Sequence, residues 1–192
     1  IACSFSTNGI PDPEDLILDC FDGRVSSIIS AIKNSVDAVI VTPHWGDEYQ
    51  TRPNNQQKRQ AKQWLEDGAH AIIGAHPHVT QPWEKHTTAD GREGFILYSL
   101  GNFVSNQTPV VKQSSIMLFL GLTKQGGKTW VNGVRYLPLY MQRRPHYEAI
   151  ASNFVAQPNS EVRSSLSLMT NMFGDERIVE PGERVITNAE CY

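Results

Sequence analysis

Three histidines carry the strongest indication of chemistry in this sequence. His76 and His78 flank Pro77 directly after the apolar run Ile72-Ile73-Gly74, and His44 follows another short apolar run. Imidazole is the most common metal-ligating side chain. Because adjacent strands lie only about 4.8 Å apart, histidines at neighbouring strand ends can converge on one ion. The pattern therefore predicts a metal site with His44, His76 and His78 as ligands.

Two further residues are candidates for catalysis. Glu48 lies close after His44, where a carboxylate could ligate a metal, orient a ligand or act as a general acid or base. A solvated surface acid is the alternative, and Asp47 is the second choice for the same role. Asn102 follows Gly101 at the end of an apolar run. It would bind substrate or support a ligand, or serve only to form a turn.

Periodicity places these residues in an α/β fold. Apolar residues recur at helical spacing from Arg24 to Asn34, and a second helix is expected from Asn54 or Asn55 to Asp67. The β-branched run 38–42 and the apolar run 69–74 predict two buried strands. The order helix, strand, helix, strand over residues 25–78 predicts a parallel sheet with crossover helices.

The character of the chain changes after Pro82, where turn signals separate apolar runs and predict antiparallel hairpins. We expect residues 1–150 to form the C-terminal part of one domain, with residues 151–192 as a C-terminal helix and hairpin packed on the same domain. The predicted elements of this half are strands at 83–88 and 94–100, strands at 115–123 and 129–140, a helix at 160–173 and a terminal hairpin at 178–186.

Composition excludes several functional classes. The 192 residues are 40% hydrophobic and 19% charged, which is typical of one soluble globular domain. A net charge of −3 offers no electrostatic surface for nucleic acid. The three cysteines form no C-x-x-C pair, which argues against a thiolate zinc site. A Cys3–Cys20 bridge is possible but does not follow from the sequence.

The motifs together resemble the CapA family, the poly-γ-glutamate capsule-synthesis proteins. The resemblance rests on residues 44–49, 68–78 and 98–103, in that order, and extends over roughly residues 1–145. It implies a fold like that of the calcineurin-like metallophosphatases, in which a sheet sandwich is flanked by helices and carries a two-metal centre.

The resemblance also implies roles for individual residues. His44 is similar to the histidine ligand after the middle strand, and His76 and His78 are similar to a pair that ligates one metal each. Glu48 and Asn102 match positions near the cleft. The metals implied are divalent ions, namely Mn, Fe, Zn or Mg.

One part of the implied centre is not in this sequence. The acidic motifs of the family, including the carboxylate that bridges the two metals, lie upstream of every matched position. Ile1 also begins what reads as the second half of a strand. We therefore expect the N-terminal portion of the domain to be missing from this chain.

The function implied is a metal-dependent hydrolase or transferase in bacterial capsule or cell-envelope polymer biosynthesis. Its substrate would be an anionic polymer with a phosphoester or amide linkage, and its partners would be membrane-bound capsule synthesis proteins. The alternative is a non-catalytic, polymer-binding component of a capsule synthesis or export complex. A third interpretation, in which the histidines are only structural, explains their clustering at strand ends least well.

Overall fold

Two β-sheets and four α-helices make up residues 1–183, the part of the chain that the computed structural model describes. A short 3₁₀ helix at Ser152–Phe154 precedes the last α-helix. In chain order the elements are β1 (Ala2–Ser4), α1 (Arg24–Ile32), β2 (Ile40–His44), α2 (Asn55–Asp67), β3 (Ala71–Ile73), β4 (Thr80–Thr87), β5 (Glu93–Leu100), α3 (Val110–Gln113), β6 (Ser114–Gln125), β7 (Lys128–Gln142), β8 (Glu148–Ala151) and α4 (Ser160–Phe173).

The first sheet has the strand order β1-β2-β3-β5-β4, and the second has the order β6-β7-β8. The α/β class is confirmed, with a parallel first half and antiparallel hairpins after it. The expectation that the whole second half is antiparallel is wrong for β5, which pairs with β3 in parallel. Residues 94–99 of β5 are buried without alternation, as is typical of a parallel strand covered on both faces.

Several element boundaries differ from the predicted ones. β2 begins two residues later than expected and includes His44, and β3 is shorter than the apolar run 69–74. β8 was not predicted, and it pairs with the end of β7. In the predicted terminal hairpin, Ile178 forms a single parallel bridge to Tyr136, and residues from 184 onward lie outside the described part of the chain.

The boundaries of α2 were predicted correctly because both of its ends carry local signals. The Asn54 side chain accepts a hydrogen bond from the Gln57 backbone N–H, and the Gln57 side chain accepts one from the Asn54 backbone N–H. This reciprocal pair is a capping box. At the other end Gly68 adopts φ 129°, a conformation that L side chains rarely adopt.

Two hydrophobic cores lie on opposite faces of the first sheet. On one face α1 and α2 pack against the sheet, and the rings of Trp45 and Trp64 stack with centroids 5.5 Å apart. On the other face the first sheet packs against the second sheet and α4, and the ring centroids of Trp83 and Phe173 lie 4.7 Å apart. Since β3 and β5 contribute to both cores, these strands are held from both sides.

A disulfide joins Cys3 of β1 to Cys20, which is buried ahead of α1. A bridge between Ser4 and Asp19 lies beside it, so the segment 5–19 forms a closed loop on the edge of the sheet. The bond closes a loop with a sequence separation of 17 residues.

We expect the double substitution Cys3→Ser/Cys20→Ser to lower the free energy of unfolding by about 3 kcal/mol, because a cross-link over a loop of this length restricts the unfolded chain by roughly that amount. Urea denaturation followed by circular dichroism measures the change. Dithiothreitol should lower the stability of the wild type to that of the variant and leave the variant unchanged. An effect of the reductant on both proteins would contradict this assignment.

Gly74 is the point of closest approach between the end of β3 and the elements around it. The Trp45 indole N–H donates a buried hydrogen bond of 3.0 Å to the Tyr98 carbonyl. A Cβ at Gly74 would overlap both that carbonyl oxygen and the indole nitrogen. Glycine is therefore required here by space.

Gly74→Ala should lower the free energy of unfolding by about 3 kcal/mol, because a methyl group at this position forces the backbone of β5 and the Trp45 ring apart. Gly91→Ala is the control, since a Cβ there meets open space and only the φ of +82° opposes it. The control should lose only about 1 kcal/mol. Equal losses in the two variants, measured by urea denaturation, would show that the contact at Gly74 is unimportant.

Candidate metal centre

The register of the parallel strands brings the candidate ligands to one edge of the first sheet. Ser4 pairs with His44 across β1 and β2, and His44 pairs with Ala75 beyond the end of β3. The Ala75 N–H donates to the Pro43 carbonyl at 2.9 Å, and the Trp45 N–H donates to the Ala75 carbonyl at 3.0 Å. The strand ends are thus hydrogen-bonded together at the place where open α/β sheets bind ligands.

Four of the five candidate side chains lie in one cluster. One ligand atom from each of Glu48, His76 and His78 lies within 4.8 Å of the other two. His78 Nε2 is 3.8 Å from a carboxylate oxygen of Glu48. His44 joins the group through His76, because His44 Nε2 lies 2.9 Å from His76 Nδ1. The spacing of the Glu48, His76 and His78 donors is that of a site able to hold a metal ion.

The backbone of the cluster is strained. His76 has φ 104° and His78 has φ 60°, in the left-handed half of backbone space that non-glycine residues rarely occupy. Tyr49, whose N–H donates to the Pro77 carbonyl at 2.7 Å, also has a positive φ, of 64°. Each residue held in such a conformation lowers the stability of the fold by on the order of 1–3 kcal/mol, and such residues concentrate at functional sites.

Asn102 contacts the cluster and determines how the His78 ring is protonated. The amide nitrogen of Asn102 donates to the carbonyls of His78 and Lys112, at 3.2 and 2.9 Å, so its oxygen is left to accept. That oxygen lies 2.8 Å from His78 Nδ1, which therefore carries the proton. His78 Nε2 then presents its lone pair on the side of Glu48, as a metal ligand requires.

The loop that carries Glu48 is held from beneath by a buried pair of glutamines. Gln57 donates to Gln81 at 2.9 Å, and the Gln81 amide donates to the carbonyls of Gln50 and Arg52 at 2.8 and 3.2 Å. Within the same loop Asn54 holds the Asp47 carboxylate at 2.8 Å. Glu48, rather than Asp47, is therefore the carboxylate placed beside His78.

Burial favours the neutral form of two of the histidines. Desolvation is the main cause that lowers the pKa of His44, and the nearby His78 adds to it. Desolvation, followed by His44, lowers the pKa of His76. The hydrogen bond of Glu48 to the Tyr49 hydroxyl raises the pKa of that phenol. Neutral imidazole is the form that ligates metals, so the lowered pKa values of His44 and His76 favour the ligating form of these two rings.

Three residues beside the cluster were not singled out by sequence reasoning. The Phe5 ring lies 4.6 Å from the His76 ring, and the Tyr49 ring stacks 5.8 Å from the His78 ring. The Lys112 ammonium lies 3.5 Å above the centre of the Tyr49 ring. Phe5 follows the end of β1 and could have been found from its strand position. Lys112 carries no local signal, because only the tertiary fold brings it to the site.

The remaining histidines that the structure describes lie elsewhere. His70 Nδ1 accepts a hydrogen bond from the Val39 N–H, and His86 pairs with Glu66 at 2.8 Å. His146 is exposed in the turn before β8. No helix among residues 1–183 is long and apolar enough to cross a membrane.

Comparisons with known proteins agree with the motifs. Residues 4–107 match the family described as bacterial capsule synthesis protein PGA_cap. The capsule biosynthesis protein CapA of Bacillus anthracis is 35% identical over 107 residues, which are 56% of this chain and 25% of that protein. The PGA biosynthesis protein CapA of Bacillus subtilis (strain 168) is 38% identical over 99 residues, 52% of this chain and 25% of that protein. The chain thus matches about a quarter of the length of these relatives.

Among solved structures, the NAD nucleotidase (NadN) of Haemophilus influenzae is similar over 84% of this chain and 31% of its own, with a TM-score of 0.39 and 10% identity. Similarity at that level carries no argument about fold or activity. The family match covers more than half of the residues and includes His44, Glu48, His76, His78 and Asn102. The chain therefore belongs to the bacterial capsule synthesis protein family PGA_cap.

Proposed function

We propose that this chain forms a divalent-metal site, built around its histidines, in a hydrolase that acts on a capsule or cell-envelope polymer of the poly-γ-glutamate type. The observation that carries the proposal is the convergence of Glu48, His76 and His78 within 4.8 Å at the strand ends. Both matched relatives are named for capsule or PGA biosynthesis, which supports a polymer substrate.

The donor set fits a divalent metal. Two imidazole nitrogens and one carboxylate oxygen suit Zn²⁺, Fe²⁺ or Mn²⁺ better than Mg²⁺, which prefers oxygen ligands alone. Asn102 already holds the proton of His78 on Nδ1, so the ligating nitrogen is free. Three protein ligands leave coordination positions for water and substrate, as catalytic sites do.

A divalent metal held here would supply an acidic bound water and polarise the scissile group. The residues of the chain have separate tasks around it. His76 and His78 would bind the metal. His44 packs against His76, and Asn102 orients the His78 ring. Glu48 completes the ligand set or accepts the proton of the attacking water. We infer that the cleaved linkage is a γ-glutamyl amide or a phosphoester. The protein would act at the bacterial envelope, beside membrane-bound synthesis proteins.

His78→Ala should weaken binding of Mn²⁺ or Zn²⁺ by at least about 100-fold, because it removes a ligand from a preorganised site. Isothermal titration calorimetry of the purified chain measures the affinity. His146→Ala is the matched control, since this histidine is exposed and away from the cluster, and it should bind as the wild type does. Absence of metal binding by the wild type would rule out the proposed function.

Metal-loaded protein should release product from a phosphodiester, a phosphomonoester or poly-γ-glutamate, and chelation should abolish the reaction. Assaying the three substrates side by side identifies the linkage. Metal binding without turnover of any of them would favour the alternative, a polymer-binding component without catalysis. His78→Ala serves as the inactive reference in each assay.

Asn102→Ala should lower metal affinity about 10- to 100-fold, because the His78 ring loses the partner that sets its orientation and tautomer. Asn106→Ala is the control, because it lies in the same loop and is exposed. Far-ultraviolet circular dichroism checks that both variants keep the fold. Unchanged affinity in a folded Asn102→Ala protein would mean that Asn102 serves only the turn.

A further inference from the structure

We propose that Lys112 and Tyr49 form an oxyanion-binding subsite beside the metal cluster, which receives a carboxylate or phosphate group of the substrate. This inference rests on the proposed function and names the chemical class of substrate. The substrate must then carry a negatively charged group close to the scissile bond.

Lys112 lies on the face of the Tyr49 ring, beside the cluster. Its ammonium lies 3.5 Å from the centre of the Tyr49 ring, and that ring lies 5.8 Å from the ring of His78. The lysine is partly buried, and α3 carries it to the side of the cluster. An aromatic face attracts a cation through its quadrupole and occupies no N–H donor in a classical hydrogen bond. The ammonium therefore remains able to donate to an anion.

Lys112 differs from several other lysines of the chain in the charges around it. Within residues 1–183, no carboxylate lies within 4.0 Å of this ammonium. Lys62, Lys85 and Lys124 differ, because each forms an ion pair with a carboxylate. A partly buried cation without a carboxylate partner, next to a candidate metal site, is suited to an anionic ligand.

Lys112 and His78 are held by the same side chain. The Asn102 amide donates to the carbonyls of both residues, so their backbones are fixed relative to each other. Gln107 accepts from Asn102 at 3.3 Å and also lies beside the Tyr49 hydroxyl. The proposed subsite is thus preorganised with respect to the cluster, which lowers the cost of binding an anion there.

The chemistry follows from this placement. A substrate whose linkage reaches the metal ligands would place a neighbouring oxyanion near Lys112. The compact ammonium charge accepts either a carboxylate or a phosphate, because it does not demand the planar geometry that arginine prefers. A carboxylate polymer has such a group in every repeat, and a phosphoester has it at the linkage itself. Lys112 would not strengthen the binding of a neutral substrate.

The experiment measures binding of inorganic phosphate and of glutarate, by calorimetry, to the full chain with Mn²⁺ and separately in EDTA. Lys112→Gln should weaken the better probe about tenfold, as loss of one charged hydrogen bond does. Lys112→Arg should lose less affinity than Lys112→Gln, because the positive charge is retained. Lys58→Gln on the exposed side of α2 is the control and should match the wild type.

The outcomes separate the two proposals. Mn²⁺ affinity should be the same in the wild type and in Lys112→Gln. If the wild type binds no Mn²⁺, that result counts against the metal site only. The EDTA titrations then still test the subsite. Preference for glutarate identifies a carboxylate polymer, and preference for phosphate identifies a phosphoester. Equal anion affinities of wild type and Lys112→Gln in both conditions would overturn the inference.

Discussion

The buried hydrogen bond from the Trp45 indole to the Tyr98 carbonyl holds the candidate site together. Trp45 comes directly after the His44 position, and Tyr98 belongs to β5, so the bond spans the end of β3. It forms only because Gly74 has no side chain to fill the space between them. Without that partner the buried indole N–H would be unsatisfied, at a cost of about 1–3 kcal/mol. The same ring stacks on Trp64 and so ties the loop to α2.

Around this bond, two polar networks keep the backbone of the site in conformations it would not adopt alone. Asn102 holds the carbonyl and the ring of His78, and the buried Gln57–Gln81 pair holds the carbonyls of the loop that carries Glu48. The positive φ of His78 persists because Asn102 holds both its carbonyl and its ring. Side chains supported by a second layer of hydrogen bonds would change little on binding an ion, which is the basis of preorganisation.

Local patterns were good predictors wherever the cause was local. The helix α2 was predicted to the residue at its end because Asn54 and Gly68 are strong capping signals. The two hairpins were predicted from their turns, and the family was recognised from three motifs that the comparison confirms. The pairing of β5 with β3, the strand β8 and the exact extent of β2 were missed, because strand partners are chosen by contacts distant in sequence.

The residue types and their spacing determined, without a structure, that His44, His76 and His78 lie at or just beyond strand ends and that Glu48 and Asn102 accompany them. This was possible because strand ends and turns have short-range signatures. Only the tertiary structure decided that Glu48 rather than Asp47 faces His78, that Cys3 and Cys20 are joined, and that Lys112 stands over Tyr49. These contacts depend on the parallel register and on the packing of loops far apart in the chain, which short-range patterns do not encode.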